Sequence, residues 1–154
     1  MKAPGGVLLL LCWLLGSCAS PSSIGFTKVK YYHLKEEENL GASDPMIDFE
    51  RKYYLYGAVD QADLNVRVGN YYTFFWSADP AKGPVKLRFE YRNAPTGEAV
   101  HRLEYEIADV RKTNRTLVNV TGPVYLERGP VVAWRATLWQ GGRSFGSTQS
   151  YLWD

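Results

Sequence analysis

Hydrophobic and polar residues alternate along most of this chain, with the period of two that is typical of β-strands. The clearest example runs over residues 85–92, where the apolar members are Val85, Leu87, Phe89 and Tyr91. The residues between them are charged or polar, so we expect one face of this strand to be buried and the other to face water. Similar patterns predict strands at residues 26–34, 102–107, 117–120, 132–138 and 147–153. Residues 71–76, YYTFFW, predict a strand that is buried on both faces.

Two segments in the first half of the chain have a less regular pattern. Residues 46–59 are rich in aromatic residues and are predicted to form another strand. Residues 60–67 begin with Asp60, which is a favourable cap for a helical turn. Leu64 and Val66, however, alternate as in a strand. We prefer the interpretation of 60–67 as a turn or short helix. Glycine-containing turns separate the segments. Seven or eight strands at this spacing predict an all-β antiparallel sandwich or barrel.

One succession of motifs suggests a particular type of sandwich. Trp76 ends an apolar strand, a loop with proline and glycine follows at residues 77–84, and the next strand contains RFEYR at residues 88–92. This succession resembles fibronectin type III domains, and residues 133–149 are similar to the last hairpin of that family. The resemblance covers about residues 68–154, but it lacks the corner tyrosine of the family and has an additional piece at 46–59. It implies a single immunoglobulin-like sandwich, which is a scaffold without chemistry of its own.

An apolar run follows a short basic start at the N-terminus. Lys2 precedes residues 7–15, VLLLLCWLL. About 9–12 apolar residues suit the core of a signal peptide and are fewer than the roughly 20 that span a bilayer. The run ends in LGSC at residues 15–18, which resembles the lipobox of bacterial lipoproteins. The resemblance implies cleavage before Cys18, a diacylglycerol on Cys18 and, because Ala19 rather than Asp follows, placement in the outer membrane.

The leader divides the chain into a signal peptide (1–17), a lipidated cysteine with its tether (18–25) and a β-sandwich domain (26–154). The alternative is an ordinary secretory leader cut near Ala19 or Ser20, which would release a soluble secreted or periplasmic protein. Cys12 and Cys18 are the two cysteines of the chain. The domain therefore cannot form an internal disulfide, and we expect its stability to come from its core.

Charge and residue spacing argue against several classes of function. The chain carries 18 basic and 16 acidic residues, a balance unlike the clustered basic excess of a nucleic-acid-binding protein. Residues 142–146 match the G-x-S-x-G pattern of a nucleophile elbow, but His33 and His101 both precede it and the surroundings predict a hairpin. The two histidines also lack the partners that zinc requires, and the acidic run at 35–45 lacks the spacing of a calcium loop. We therefore predict no catalytic, metal or cofactor-binding residues.

Aromatic residues are the feature that suggests a binding surface. Tyrosines occur as adjacent pairs at 31–32, 53–54 and 71–72, and adjacent residues of a strand point to opposite faces. If one member of each pair enters the core, the other faces outward, where it can contact a protein or stack on a sugar ring. The predicted candidate surface consists of Tyr32, Tyr54, Tyr72 and Trp139. In the simpler alternative, these rings only pack along the sheets. Trp76 and Trp134 are predicted core residues.

The sequence as a whole predicts a non-catalytic cell-envelope protein. A lipid on Cys18 would hold it at the membrane, and its sandwich would bind or assemble with an envelope protein. The alternative is a carbohydrate-binding module that uses outward aromatic residues on an envelope polysaccharide, and a hydrolase is less favoured. Neither a nucleic acid nor a cofactor is expected as a partner.

Overall fold

Two antiparallel β-sheets that pack face to face form the domain. The structure is a computed structural model that describes residues 24–35, 45–94 and 97–154 of the 154-residue chain. The predicted signal peptide, Cys18 and nearly all of the tether lie outside the described residues, as does most of the acidic run.

The described residues form seven strands. In chain order these are β1 (Gly25–Leu34), β2 (Gly69–Ser77), β3 (Val85–Asn93), β4 (His101–Ile107), β5 (Thr113–Thr121), β6 (Val131–Gln140) and β7 (Arg143–Gln149). The first sheet has three strands in the order β1-β2-β5, and the second has four in the order β4-β3-β6-β7. The helices between the strands are α1 (Pro45–Leu55), α2 (Gln61–Arg67) and α3 (Pro123–Arg128). The predicted all-β antiparallel sandwich is confirmed.

The core lies between the two sheets and follows the predicted alternation. Its buried members on the inner faces of β2, β3, β5 and β6 include Tyr72, Phe74, Trp76, Val85, Leu87, Phe89, Tyr91, Val118, Val120, Ala136 and Leu138. Trp76 is fully buried, and its indole N–H donates to Thr116 Oγ1 at 3.0 Å. Trp134 is half-buried and packs against the core, with its ring 5.4 Å from the ring of Tyr72 and 5.6 Å from that of Phe74. Both tryptophans therefore contribute to the core, as predicted.

The predicted strand at 46–59 is wrong, because this segment contains helix α1. Pro45 stands at the first helical position, where its missing N–H costs nothing, and Asp48 in the first turn interacts favourably with the helix dipole. These local signals and packing against the first sheet outweigh the β-propensity of the aromatic residues. The preferred interpretation of 60–67 is confirmed: α2 begins after Asp60, whose carboxylate accepts from the N–H of Asp63 at 2.9 Å.

The predicted last strand, 147–153, is wrong at its end. Strand β7 stops at Gln149, and residues Tyr151–Trp153 form a 3₁₀ turn. The turn places Trp153 against the outer face of the second sheet, where the guanidinium groups of Arg92 and Arg135 lie 4.8 and 5.1 Å from its ring centroid. These cation–π contacts explain why the chain leaves the strand, since they bury a ring that would otherwise face water.

Candidate functional site

The prediction that Tyr72 faces outward is wrong. Its side chain is 1 % exposed and lies between the sheets, where its ring is 4.9 Å from that of Phe89. Burial raises the pKa of its hydroxyl well above the ordinary value. The inner face of β2 carries Asn70, Tyr72 and Phe74, so Tyr71 is the member of the pair that belongs to the outer face.

Tyr32 and Tyr54 lie together on the outer face of the first sheet, but they pack against each other and against Tyr71. The rings of Tyr32 and Tyr54 are stacked, with centroids 5.2 Å apart, and the ring of Tyr54 lies 4.1 Å from that of Tyr71. The Tyr71 hydroxyl donates to the carbonyl of Arg67, and burial raises its pKa to about 12. These three tyrosines fasten α1 to the sheet, so most of their ring surface is used for packing.

An exposed apolar stripe on α1 is the feature that the sequence interpretation missed. Met46, Phe49 and Tyr53 recur at intervals of three and four residues, which places them on one side of the helix. Their side chains are 66–68 % exposed, and Leu117 of β5 is 50 % exposed. Phe49, Tyr53 and Leu117 line a groove of about 180 Å³ between α1 and the sheet, with Phe75 among its lining residues. We call Met46, Phe49, Tyr53 and Leu117 the α1 surface.

Basic side chains border the α1 surface. Lys30 and Arg115 line the same groove together with Glu50. Within the described part of the chain, neither Lys30 nor Arg115 has a carboxylate at ion-pair distance. Lys30 and Glu50 also border a second cleft of about 240 Å³, whose walls are formed by tyrosines: Tyr31, Tyr32, Tyr54 and Tyr71. The outer face of the first sheet thus combines exposed apolar surface with positive charge.

Trp139 lies on the other side of the molecule, on the outer face of the second sheet. Its half-buried ring borders a cavity of about 340 Å³, and the guanidinium of Arg88 lies 5.3 Å from the ring centroid. Arg88 also donates to Glu104 at 2.8 Å. This hydrogen bond lowers the pKa of Glu104, and Lys86 contributes in the same direction. The four predicted residues therefore do not form one surface: Tyr32 and Tyr54 lie together, Tyr72 is in the core and Trp139 is on the opposite sheet.

The two histidines connect α3 to both sheets. His33 Nε2 of β1 is 2.7 Å from the Tyr125 hydroxyl, and His101 Nδ1 of β4 accepts from Arg128 at 3.1 Å. Ser144, the serine of the G-x-S-x-G pattern, lies in the β6–β7 hairpin opposite Trp139 and not on a strand-to-helix turn. Among the described residues, no three His, Cys, Asp or Glu side chains lie close enough together to hold a metal ion.

Comparison with known proteins gives no relative from which a function is transferable. No family model, no curated protein and no solved structure matches the chain. In the part of the chain that the structure describes, no helix is long and apolar enough to cross a membrane.

Proposed function

We propose that this chain is a non-catalytic binding or assembly module, held at the cell envelope by a lipid on Cys18. The observation that carries the proposal is the α1 surface, in which three apolar helical side chains are each about two-thirds exposed. Apolar and aromatic groups that cluster on a surface are typical of protein–protein contacts, where a few such residues supply most of the binding energy. The partner is an envelope protein that covers this surface.

The strand order supports an immunoglobulin-like sandwich of the kind to which fibronectin type III domains belong. In the constant-type immunoglobulin fold, the first, second, fifth and fourth strands form one sheet and the third, sixth and seventh form the other. Here the order is β1-β2-β5 and β4-β3-β6-β7, which differs only in that the fourth strand joins the second sheet. A scaffold of this type hosts many unrelated binding functions, so the α1 surface and not the fold carries the functional argument.

Anchoring through Cys18 is compatible with use of the α1 surface. The chain enters the domain at Gly25, at the end of β1 that pairs with Ser77. Helix α1 lies instead on the lateral face of the first sheet, where Tyr54 contacts Tyr32 and Tyr71. Two or more acyl chains suffice for stable membrane attachment. The domain is then held by one end with its side free for a partner, and the residue after Cys18 favours the outer membrane.

Affinity capture with matched variants tests the proposal. The chain would be immobilised and exposed to solubilised envelope protein, and the captured proteins would be compared between wild type, Phe49→Ala/Tyr53→Ala and Tyr151→Ala. Tyr151 is the control because it is 96 % exposed but belongs to the C-terminal turn. We expect a saturable partner that the double variant loses and the control keeps. Equal capture by all three proteins would contradict the proposal.

A carbohydrate-binding module is the second candidate, and the tyrosine-lined cleft favours it. Tyr32 and Tyr54 are half-buried in the wall of this cleft, beside Lys30 and Glu50. A partly exposed ring next to charged hydrogen-bonding groups suits a sugar, which presents both an apolar face and hydroxyls. Retention on cell-wall or capsular polysaccharide that is lost in Tyr32→Ala, and kept in Phe49→Ala/Tyr53→Ala, would favour this function over protein binding.

A further inference from the structure

The end of the sandwich at which β1 begins contains a hollow of about 560 Å³. Ile24, the first described residue and a part of the predicted tether, lies in its wall. Lys82 reaches the hollow from the 3₁₀ turn Pro80–Lys82, and Arg143 reaches it from the first position of β7. Two cationic side chains from separate elements thus meet where the chain enters the domain.

The hollow has a net positive charge. Lys82 and Arg143 are both exposed, and neither has a carboxylate at ion-pair distance within the described ranges. Asp79 is the acidic residue of the lining, and its carboxylate accepts from the N–H of Ala81 at 3.0 Å to cap the 3₁₀ turn. The capping bond orients this carboxylate toward the turn but does not remove its charge, so two cations and one carboxylate leave the hollow net positive, with both basic groups available to a ligand.

Two local devices hold the basic residues in place. The Gln140 side chain donates to the carbonyl of Asp79 at 3.1 Å and to that of Gly83 at 2.8 Å, so it fastens the loop that carries Lys82 to β6. Gly141 and Gly142 have φ of +56° and +78°, which permits the tight two-residue turn that leads to Arg143. Because Gln140 holds the loop and Arg143 also pairs with Gln140 across β6 and β7, binding an anion there needs little ordering of the backbone.

Apolar side chains border the same hollow. Ile24 is 55 % exposed, and Phe145 is half-buried in the lining. A phospholipid headgroup combines an anionic phosphodiester with apolar glycerol and acyl groups, and basic residues beside a membrane anchor are attracted to anionic lipids. We propose that this hollow binds the phosphodiester headgroup of an anionic phospholipid, so that the domain stands on the bilayer with its β1 end downward.

The proposal rests on the proposed function in one respect, since the lipid on Cys18 brings this end to the membrane. Five residues lie between Cys18 and Ile24, and at full extension this stretch spans roughly 20 Å. A tether of this length allows the hollow to reach headgroups, and it keeps the local lipid concentration high enough for a weak contact to be occupied.

Lysine acetylation in lipid nanodiscs tests the proposal on the full chain. Discs of phosphatidylcholine alone would be compared with discs that also contain phosphatidylglycerol, and the acetylation rate of each lysine would be read by mass spectrometry. We expect Lys82 to react about fivefold more slowly in the anionic discs, the factor that corresponds to the ~1 kcal/mol gained by one basic residue near an anionic surface. Lys52, exposed on α1, should react equally in both. Arg143→Glu should abolish the protection of Lys82, and the control Lys52→Glu should leave it intact.

The possible outcomes separate the headgroup proposal from the anchor. Equal reaction of Lys82 in both kinds of disc would overturn the headgroup proposal even if the chain stays on the discs. If the discs do not retain the chain, the lipid anchor on Cys18 is contradicted, and the acetylation of Lys82 is compared instead with the soluble chain and an excess of vesicles. Protection of Lys82 by phosphatidylglycerol vesicles would still support headgroup binding in the hollow. Absence of that protection would overturn it. Equal protection by inorganic phosphate without lipid would assign the hollow to a free anion and overturn the lipid assignment.

Discussion

Replacing Tyr54 by alanine tests whether tyrosines fasten α1 to the first sheet. The ring of Tyr54 lies 5.2 Å from the ring of Tyr32 and 4.1 Å from that of Tyr71. Aromatic pairs of this kind contribute about 0.5–1.5 kcal/mol each beyond area burial. Tyr54 is half-buried, so burial adds about half of the 1.5–3 kcal/mol of a fully buried large side chain. We therefore expect Tyr54→Ala to weaken the attachment of α1 by about 2–4 kcal/mol.

Amide hydrogen exchange measures this attachment directly. In Tyr54→Ala, peptides that cover Pro45–Leu55 should exchange at least about tenfold faster, because the free energy of local opening falls. Tyr56→Ala is the matched control: the residue is two positions away, of the same type and 86 % exposed, so its loss should change exchange by less than about twofold. Unchanged exchange in Tyr54→Ala, or equal acceleration in both variants, would refute the packing described for α1.

Three further changes test other parts of the structure. Cys18→Ala should yield an unprocessed or mislocalised precursor with an intact fold, as seen by membrane fractionation and mass spectrometry; normal acylation of this variant would exclude the lipobox. Burial raises the pKa of Glu90, but hydrogen bonds from Arg135 and Arg102 outweigh it and hold the pKa below 4.5. When the pKa of a carboxyl is lower in the folded state than in the unfolded state, the carboxyl stabilises the folded protein at pH values above its unfolded-state pKa. This stabilisation is lost as the pH falls through its folded-state pKa. The free energy of unfolding of the wild type should therefore exceed that of Glu90→Gln by about 1 kcal/mol near pH 7, given the partly exposed arginines. In urea unfolding this difference should shrink as the pH falls through the lowered folded pKa of Glu90; a difference that does not change with pH would contradict the assignment. Gly69 has φ of +144°, and an added Cβ would lie 2.3 Å from the carbonyl oxygen of Val120. Gly69→Ala should therefore lower the free energy of unfolding by more than about 1 kcal/mol in the same assay. An unchanged midpoint would contradict the close approach of β2 and β5.

The sandwich was predictable because its strands alternate clearly. Val85, Leu87 and Phe89 carry the period of two and are all buried in the core. The same reasoning fails for Tyr71 and Tyr72, because residues 71–76 contain no charged residue to indicate which face is inward. The deciding residue is Asn70, which is fully buried: its amide donates to the Tyr31 hydroxyl at 2.8 Å and its oxygen accepts from the N–H of Val131 at 2.9 Å. Because Asn70 faces the core, Tyr72, two positions later on the strand, also faces the core. Hydrophobicity alone would place a polar residue such as Asn70 outside, and its burial depends on these hydrogen bonds.

The α1 surface was not predictable from strand propensity, although its spacing is visible in the sequence. Met46, Phe49 and Tyr53 fit a helical period, and Pro45 is a favourable first residue. The aromatic content of the segment favoured a strand instead. The position of Trp153 depends on Arg92 and Arg135, which are distant in sequence. No local pattern contains that information, because the contact exists only once the second sheet has formed.

Photo-crosslinking in intact cells tests whether an envelope protein covers the α1 surface. A photoreactive residue would replace Phe49 in one variant and Tyr151 in a control, since both side chains are exposed but Tyr151 lies outside the α1 surface. We expect a defined adduct with one envelope protein from position 49, in the membrane fraction, and none from position 151. Absence of an adduct at position 49, or identical adducts at both positions, would contradict the assignment of the α1 surface as the binding site.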